Sequence, residues 1–180
     1  GTVGSWLRAL RPKQWVKNVL VVAAPAAAGT LDSGPTVART FGAIAAFIIA
    51  SGSIYLFNDA ADADLDRVHP TKRHRPIPAG EIQVAVARRV GAVLAASATV
   101  GAVALDPAFG LVIAVYLAVN VSYSAGVKHW PWIELAAVAS GFLLRAIGGG
   151  AATATPLSSW FLVVVSSVAL FVVVGKRSAE

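Results

Sequence analysis

Four carboxylates fall between Asn58 and Asp66, and a run of cations follows them at once. The stretch from Asn58 to Arg75 reads NDAADADLDRVHPTKRHR, with Asp59, Asp62, Asp64 and Asp66 preceding Lys72, Arg73 and Arg75. On a helix, at 100° per residue, Asn58, Asp59, Asp62 and Asp66 share roughly a quarter-turn of arc, while Asp64 points away. Three carboxylates on one face repel one another unless a cation sits among them. An all-oxygen set suits Mg²⁺, which takes one or two carboxylates and completes its shell with water and substrate phosphates. Asn58, Asp59, Asp62 and Asp66 are therefore both the candidate metal ligands and the candidate catalytic set. Lys72, Arg73 and Arg75 are candidates to hold phosphate oxygens that the metal leaves charged. The competing reading is a solvated loop whose carboxylates pair with neighbouring cations. The one-face spacing between two apolar segments favours a Mg²⁺–diphosphate site at the end of a membrane helix.

The elements that must position this site are apolar. Of 180 residues, 57% are hydrophobic and 13% charged, about half the charge of a soluble domain. That composition predicts an all-α polytopic membrane protein. The net charge of +6 would suit nucleic acid, but the cations sit in short connections between apolar runs, as membrane topology requires, so no nucleic-acid partner is expected. The absence of Cys excludes disulfides, a thiol nucleophile and a zinc–thiolate centre. The first apolar run follows Arg8, Arg11, Lys13 and Lys17 with Trp6 and Trp15, and reads as a span and not a signal peptide.

Hydropathy and turn residues predict spans over 15–30 (kinked at Pro25), 37–57, 81–105, a fourth ending at Tyr123, 131–152 and 156–175. The second should continue as helix through the acid cluster to His69, because Pro70 disfavours helical geometry in the residue before it. Every Lys and Arg except Arg39 falls towards the N-terminal side of the membrane, with Arg145 deeper. The positive-inside rule makes that side cytoplasmic. The acid cluster, the basic run, Tyr123, Lys128, Lys176 and Arg177 then share one face, the last four as further candidates for phosphate contacts. Lys17 reads as a snorkelling cation, and Asn18 could reach a site at the membrane face. Arg145 lies about fourteen residues, or about 20 Å, into its span, where a charge needs a partner or a ligand. It is expected either to pair with a carboxylate or to contact a ligand phosphate. Gly148 to Gly150 permit close helix packing or a break. His69, His74 and His129 read as loop residues.

The pattern Asn58-Asp59-x-x-Asp62-x-x-x-Asp66, followed by Arg-Pro-Ile-Pro-Ala-Gly at 75–80, resembles the first Asp-rich motif of the UbiA superfamily of intramembrane prenyltransferases. Arg11 to Asn18 (RPKQWVKN), His69 to Gly80 and Tyr123 to Gly150 resemble, within that superfamily, its phosphoribosyltransferase branch of mycobacteria and their relatives. The resemblance implies a UbiA-like transmembrane helix bundle in one domain, residues 1–180, with about six of about nine helices present. It also implies transfer of the 5-phosphoribosyl group from 5-phosphoribosyl 1-diphosphate (PRPP) to polyprenyl (decaprenyl) phosphate, a step towards cell-wall arabinan precursors. Mg²⁺ would be the cofactor, with membrane lipid around the bundle, the plasma membrane as location and a cytoplasmic active site. Self-association into a homo-oligomer is left open. A prenyltransferase using a prenyl diphosphate is the alternative, and it would carry a second Asp-rich motif where this chain has Lys176, Arg177 and Glu180. A cation-binding transporter is the reading from another class, and it calls for carboxylates near mid-membrane.

Overall fold

A computed structural model describes residues 1–124 and 131–178, with side chains placed for 1–124 and 136–175. It is helical throughout, with no strand among the described residues. Helix α1 (Val3–Ala9) is followed by a 3-10 segment, Pro12–Val22, and by α2 (Ala23–Ala27). Next come α3 (Gly34–Ala61), α4 (Ala63–Val68), a 3-10 turn at Lys72–His74, α5 (Val84–Leu105), α6 (Pro107–Ser122), α7 (Pro131–Ala152) and α8 (Ser159–Ser178).

Helix α3 is the axis of the molecule. Ser33 caps it by accepting from Thr36 N at 3.2 Å, and Pro35 occupies its first turn, a position where a missing N–H is harmless. Its most apolar 18-residue stretch has a mean hydropathy of 1.8, and its 28 residues reach about 42 Å, more than a bilayer's hydrocarbon core of about 30 Å. Its last turns therefore carry Asn58 and Asp59 to the membrane boundary. Helix α5 lies against it through small residues (Ala43, Ala46 and Ala50 facing Ala98 and Ala102), all buried. Close approach of backbones is what holds helices together where lipid removes the hydrophobic driving force. Phe47 anchors the centre, with ring centroids 5.8 Å from Phe109 and 5.4 Å from Tyr116. Val93, Val100, Leu111, Val163 and Phe171 remain exposed, as a lipid-facing surface requires.

Six apolar segments occur in the expected order, with two departures. The first was expected as a kinked α-helix over 15–30. It is a 3-10 segment of 11 residues that passes into α2 ahead of Pro25. Runs of that length are uncommon because the hydrogen-bond geometry is poorer, and here α7 supplies the reason. A Cβ on Gly149 would stand 1.9 Å from Val21 O, so the two backbones touch. The glycines of α7 thus permit close packing without breaking the helix. The second departure is at Asp62 (φ −93°, ψ 5°), where the helix expected to continue to His69 divides into α3 and α4. At the opposite membrane face Arg39, the exception to the charge asymmetry, donates from Nη1 to Ala152 O at 3.2 Å. It thereby satisfies a carbonyl at the C-terminus of α7, where a cation is favoured.

Candidate active site

The end of α3, α4 and the loop after it converge through a second apolar cluster. Ala9 of α1, Leu56 and Ala60 of α3, Ala63 of α4, Ile77 and Ile82 of the loop and Ala87 of α5 are all buried together. Ile77, 1% exposed, anchors the Arg75–Gly80 loop. Ala79 N and Gly80 N donate back to Arg75 O and Ile77 O at 2.9 and 3.0 Å, and Gly80 closes the turn at φ 79°, which glycine adopts without strain. This turn fixes Arg75 beneath the carboxylates.

Asp59 and Asp66 are buried, at 2% and 4% exposure. Arg75 Nη1 lies 3.2 Å from Asp59 Oδ1 and 2.9 Å from Asp66 Oδ2, bridging them. Lys72 Nζ stands 3.9 Å from Asp66 Oδ1. Asp62 is half-buried at the α3–α4 break, its N–H donating to Asn58 O at 3.0 Å. The Asn58 side-chain oxygen accepts from the Ser124 hydroxyl, joining α3 to the end of α6. Asp64 points outward as expected, 93% exposed and paired with Arg67.

Other predicted residues fall elsewhere. Arg73 is exposed and turned towards His74, with Nε 3.3 Å from its Nε2. His69 Nδ1 accepts from Thr71 N and Lys72 N at 3.2 and 3.3 Å, so it shapes the basic turn. Tyr123 lines a groove of about 470 Å³ between α6 and α7, with Ala118, Ser122, Ala137 and Ser140. Lys128 lies outside the described residues, and the side chains of Lys176 and Arg177 lie outside those placed.

Arg145 is 6% exposed and does not pair with a carboxylate among the described residues. Nε donates to Asn18 Oδ1, Nη1 to Gly141 O and Nη2 to the Tyr116 hydroxyl, each at 2.8 Å. Its guanidinium also lies 5.0 Å from the Tyr116 ring centroid and 5.8 Å from that of Phe47. Neutral acceptors and aromatic faces thus hold the charge, with no carboxylate paired to it among the described residues. Asn18, expected near the membrane face, is fully buried in this network, and its Nδ2 is without a partner.

Arg11 was read only as a headgroup-level cation, yet it completes the acid cluster. Its guanidinium pairs with Asp59 Oδ1 and lies 4.8 Å over the Tyr55 ring. The available signal was Pro12, which bars ordinary helical geometry at Arg11; the residue is left-handed, at φ 52° and ψ 64°. Nearby, the Ser5 hydroxyl (2.5 Å) and the Arg8 guanidinium hold the Glu81 carboxyl below its ordinary pKa, the serine bond contributing most. That tie fastens α1 to the loop.

Among the described residues no three Asp, Glu, His or Cys side chains close round one point. Two buried carboxylates reached by a single Arg75 nitrogen do fit a cation that completes its shell with phosphate and water. They do not form an all-protein cage.

Residues 19–175 match the UbiA prenyltransferase family. The chain belongs to that family. Members are integral membrane proteins, in keeping with the apolar helices described above. The chain is 44% identical over 182 residues to a decaprenyl-phosphate phosphoribosyltransferase of Mycobacterium tuberculosis, covering 99% of this chain and 60% of that protein. It is 47% identical over 178 residues to one of Corynebacterium glutamicum, covering 97% and 54%. The chain thus spans little more than half the length of these relatives. A UbiA homologue of Archaeoglobus fulgidus, solved bound to DMAPP and Mg²⁺, superposes with a TM-score of 0.79 at 22% identity, covering 92% of this chain and 60% of that one. At that identity the likeness establishes the fold.

Proposed function

We propose that the chain carries the diphosphate-binding end of a membrane transferase that moves the 5-phosphoribosyl group of PRPP to a polyprenyl phosphate, of which decaprenyl phosphate is the expected acceptor. The observation that carries this reading is the pair of buried carboxylates, Asp59 and Asp66, met by Arg11, Arg75 and Lys72. The names of the relatives at 44–47% identity supply the transferred group and the acceptor.

Asp59 and Asp66 would hold Mg²⁺, with Asp62 and Asn58 beside it. When bound, the metal offsets the charge that builds on the departing diphosphate. Arg11, Arg75 and Lys72 are 30%, 33% and 44% exposed, so each can turn to the diphosphate or the 5-phosphate while anchored in the cluster. The acceptor phosphate is already an anion at neutral pH, so the reaction requires no strong general base. Attack opposite the leaving group would invert the anomeric carbon. Positioning and charge neutralisation carry the rate. The asymmetry of Lys and Arg supports a cytoplasmic orientation for this end of the bundle, and the plasma membrane is the expected location.

The test uses the purified native protein in nanodiscs with Mg²⁺, labelled PRPP and decaprenyl phosphate. Labelled lipid should form, and should vanish with EDTA or with Asp59→Ala or Asp66→Ala. Turnover retained in either variant would remove its proposed metal role. Absence of labelled lipid alongside turnover of a prenyl diphosphate would favour the prenyltransferase reading, which the DMAPP-bound structure of the same fold keeps in view.

A further inference from the structure

The carboxylates of this site are already neutralised from within. Asp59 Oδ1 receives both the Arg11 and the Arg75 guanidinium groups, and the two oxygens of Asp66 face Arg75 and Lys72. Two buried anions thus meet three cations. A bare divalent cation arriving at Asp59 and Asp66 would stand beside all three positive charges, at sites where burial strengthens the repulsion. It would also have to displace charge-assisted hydrogen bonds without offering the guanidinium groups any acceptor.

A diphosphate reverses both terms. Its oxygens are bidentate acceptors of the kind a guanidinium fork binds best, and its negative charge accompanies the metal. Arg11 is built to make that exchange. Its backbone is held left-handed at φ 52°, a conformation that persists in a non-glycine residue only where the surroundings impose it. Its guanidinium lies over the Tyr55 ring, and its side chain is 30% exposed. It can therefore swing off Asp59 towards an entering ligand without unpacking a helix.

We propose that Arg11 and Arg75 form an internal counter-ion lock, closing Asp59 and Asp66 to a bare divalent cation and releasing them when a diphosphate takes up the guanidinium groups. Metal and donor then bind as one unit. The lock rests on reading the site as a metal–diphosphate site, but it makes a separate demand, that metal affinity without diphosphate is limited by arginine.

The test counts radiolabelled Mn²⁺ retained with nanodiscs on an ultrafiltration membrane, through which Mn²⁺ and its diphosphate complex pass. The parent protein should retain Mn²⁺ weakly alone and at least tenfold more tightly with inorganic diphosphate. Arg11→Gln should retain Mn²⁺ alone at least fivefold more tightly than the parent and gain less from diphosphate. Arg11→Lys, which keeps the charge, should follow the parent in the metal-only arm, and Asp64→Asn, on the outer surface, should leave every arm unchanged. Should Arg11→Gln lose its monodisperse elution or helical circular dichroism, Arg75→Gln carries the same comparison. Equal retention by parent and glutamine variant without diphosphate overturns the lock, as does a parent indifferent to diphosphate. Absence of retained Mn²⁺ in every arm instead removes the metal–diphosphate reading, and the lock with it.

Discussion

Replacing Gly149 by alanine tests the contact on which the geometry of the site depends. An added Cβ would lie 1.9 Å from Val21 O, 2.8 Å from Val21 C and 3.2 Å from Val21 Cα. These are backbone atoms, and no flexible side chain can yield. An ordinary carbon–oxygen approach is about 3.3 Å, so α7 and the 3-10 segment must separate by more than about 1 Å. Overpacking of this kind costs about 1–3 kcal/mol, and a rigid backbone contact belongs at the upper end. At about 2–4 °C per kcal/mol for a chain of this size, the melting temperature in nanodiscs should fall by about 6–12 °C. The same separation would draw Asn18 from Arg145 and shift Arg11, at the start of the segment, relative to Asp59, so diphosphate affinity should fall as well.

Gly101→Ala in α5 is the matched comparison. Nothing lies within 4 Å of its added Cβ, and loss of a mid-helix glycine should be neutral or stabilising by about 0.5–1 kcal/mol. Thermal unfolding followed by helical circular dichroism reads both variants. A Gly149→Ala melt within about 1 °C of the parent, at a sensitivity of about 2–4 °C per kcal/mol, would refute the backbone contact and the account of the 3-10 segment that follows from it.

Two further outcomes follow from buried and interfacial polar groups. Arg145→Met leaves Asn18 Oδ1 and the Tyr116 hydroxyl without their donor; orphaned groups cost about 1–3 kcal/mol each, partly offset by removal of a buried charge. A net loss of about 2–4 kcal/mol should appear in the same melt, and an unchanged midpoint would show that the network adds no stability. Glu81, with its pKa lowered by Ser5 and then Arg8, contributes fully above its unfolded value of about 4.3 and loses that contribution as pH falls through the lower folded value. Amide exchange in α1 should therefore accelerate relative to Glu81→Gln between about pH 5 and 3; parallel profiles for the two proteins would remove the tie.

Much of the fold was legible because hydropathy and helix-ending residues coincide. The third span, expected over 81–105, is Val84–Leu105, and the fifth is Pro131–Ala152 as expected. Asp64 was legible as outward-facing because helical spacing alone determines it. The 3-10 form of Pro12–Val22 was not, since the same apolar residues suit either helix and a partner more than a hundred residues away imposes the choice. The break at Asp62 has no proline or glycine to announce it. Arg145 was identifiable as a charge needing compensation, but its partners are neutral groups from three elements, which composition cannot select. Arg11 was obscured because a cation beside a membrane span has an ordinary explanation at the headgroup layer.

Charge placement also bears on the choice between a transferase and a cation pathway. A pathway for cations needs acidic or carbonyl groups at mid-membrane depth. Among the described residues, the charged side chain buried within the bundle away from the acid cluster is Arg145, of the opposite sign, held by neutral acceptors. A cation moving past it would meet an uncompensated guanidinium. The buried carboxylates lie instead at the end of α3 and in α4, already paired with Arg11, Arg75 and Lys72. Cations in surplus over buried carboxylates suit a ligand that brings negative charge with its metal. A diphosphate at the rim of the bundle would do so, with Arg145 fastening the 3-10 segment to α6 and α7 below it.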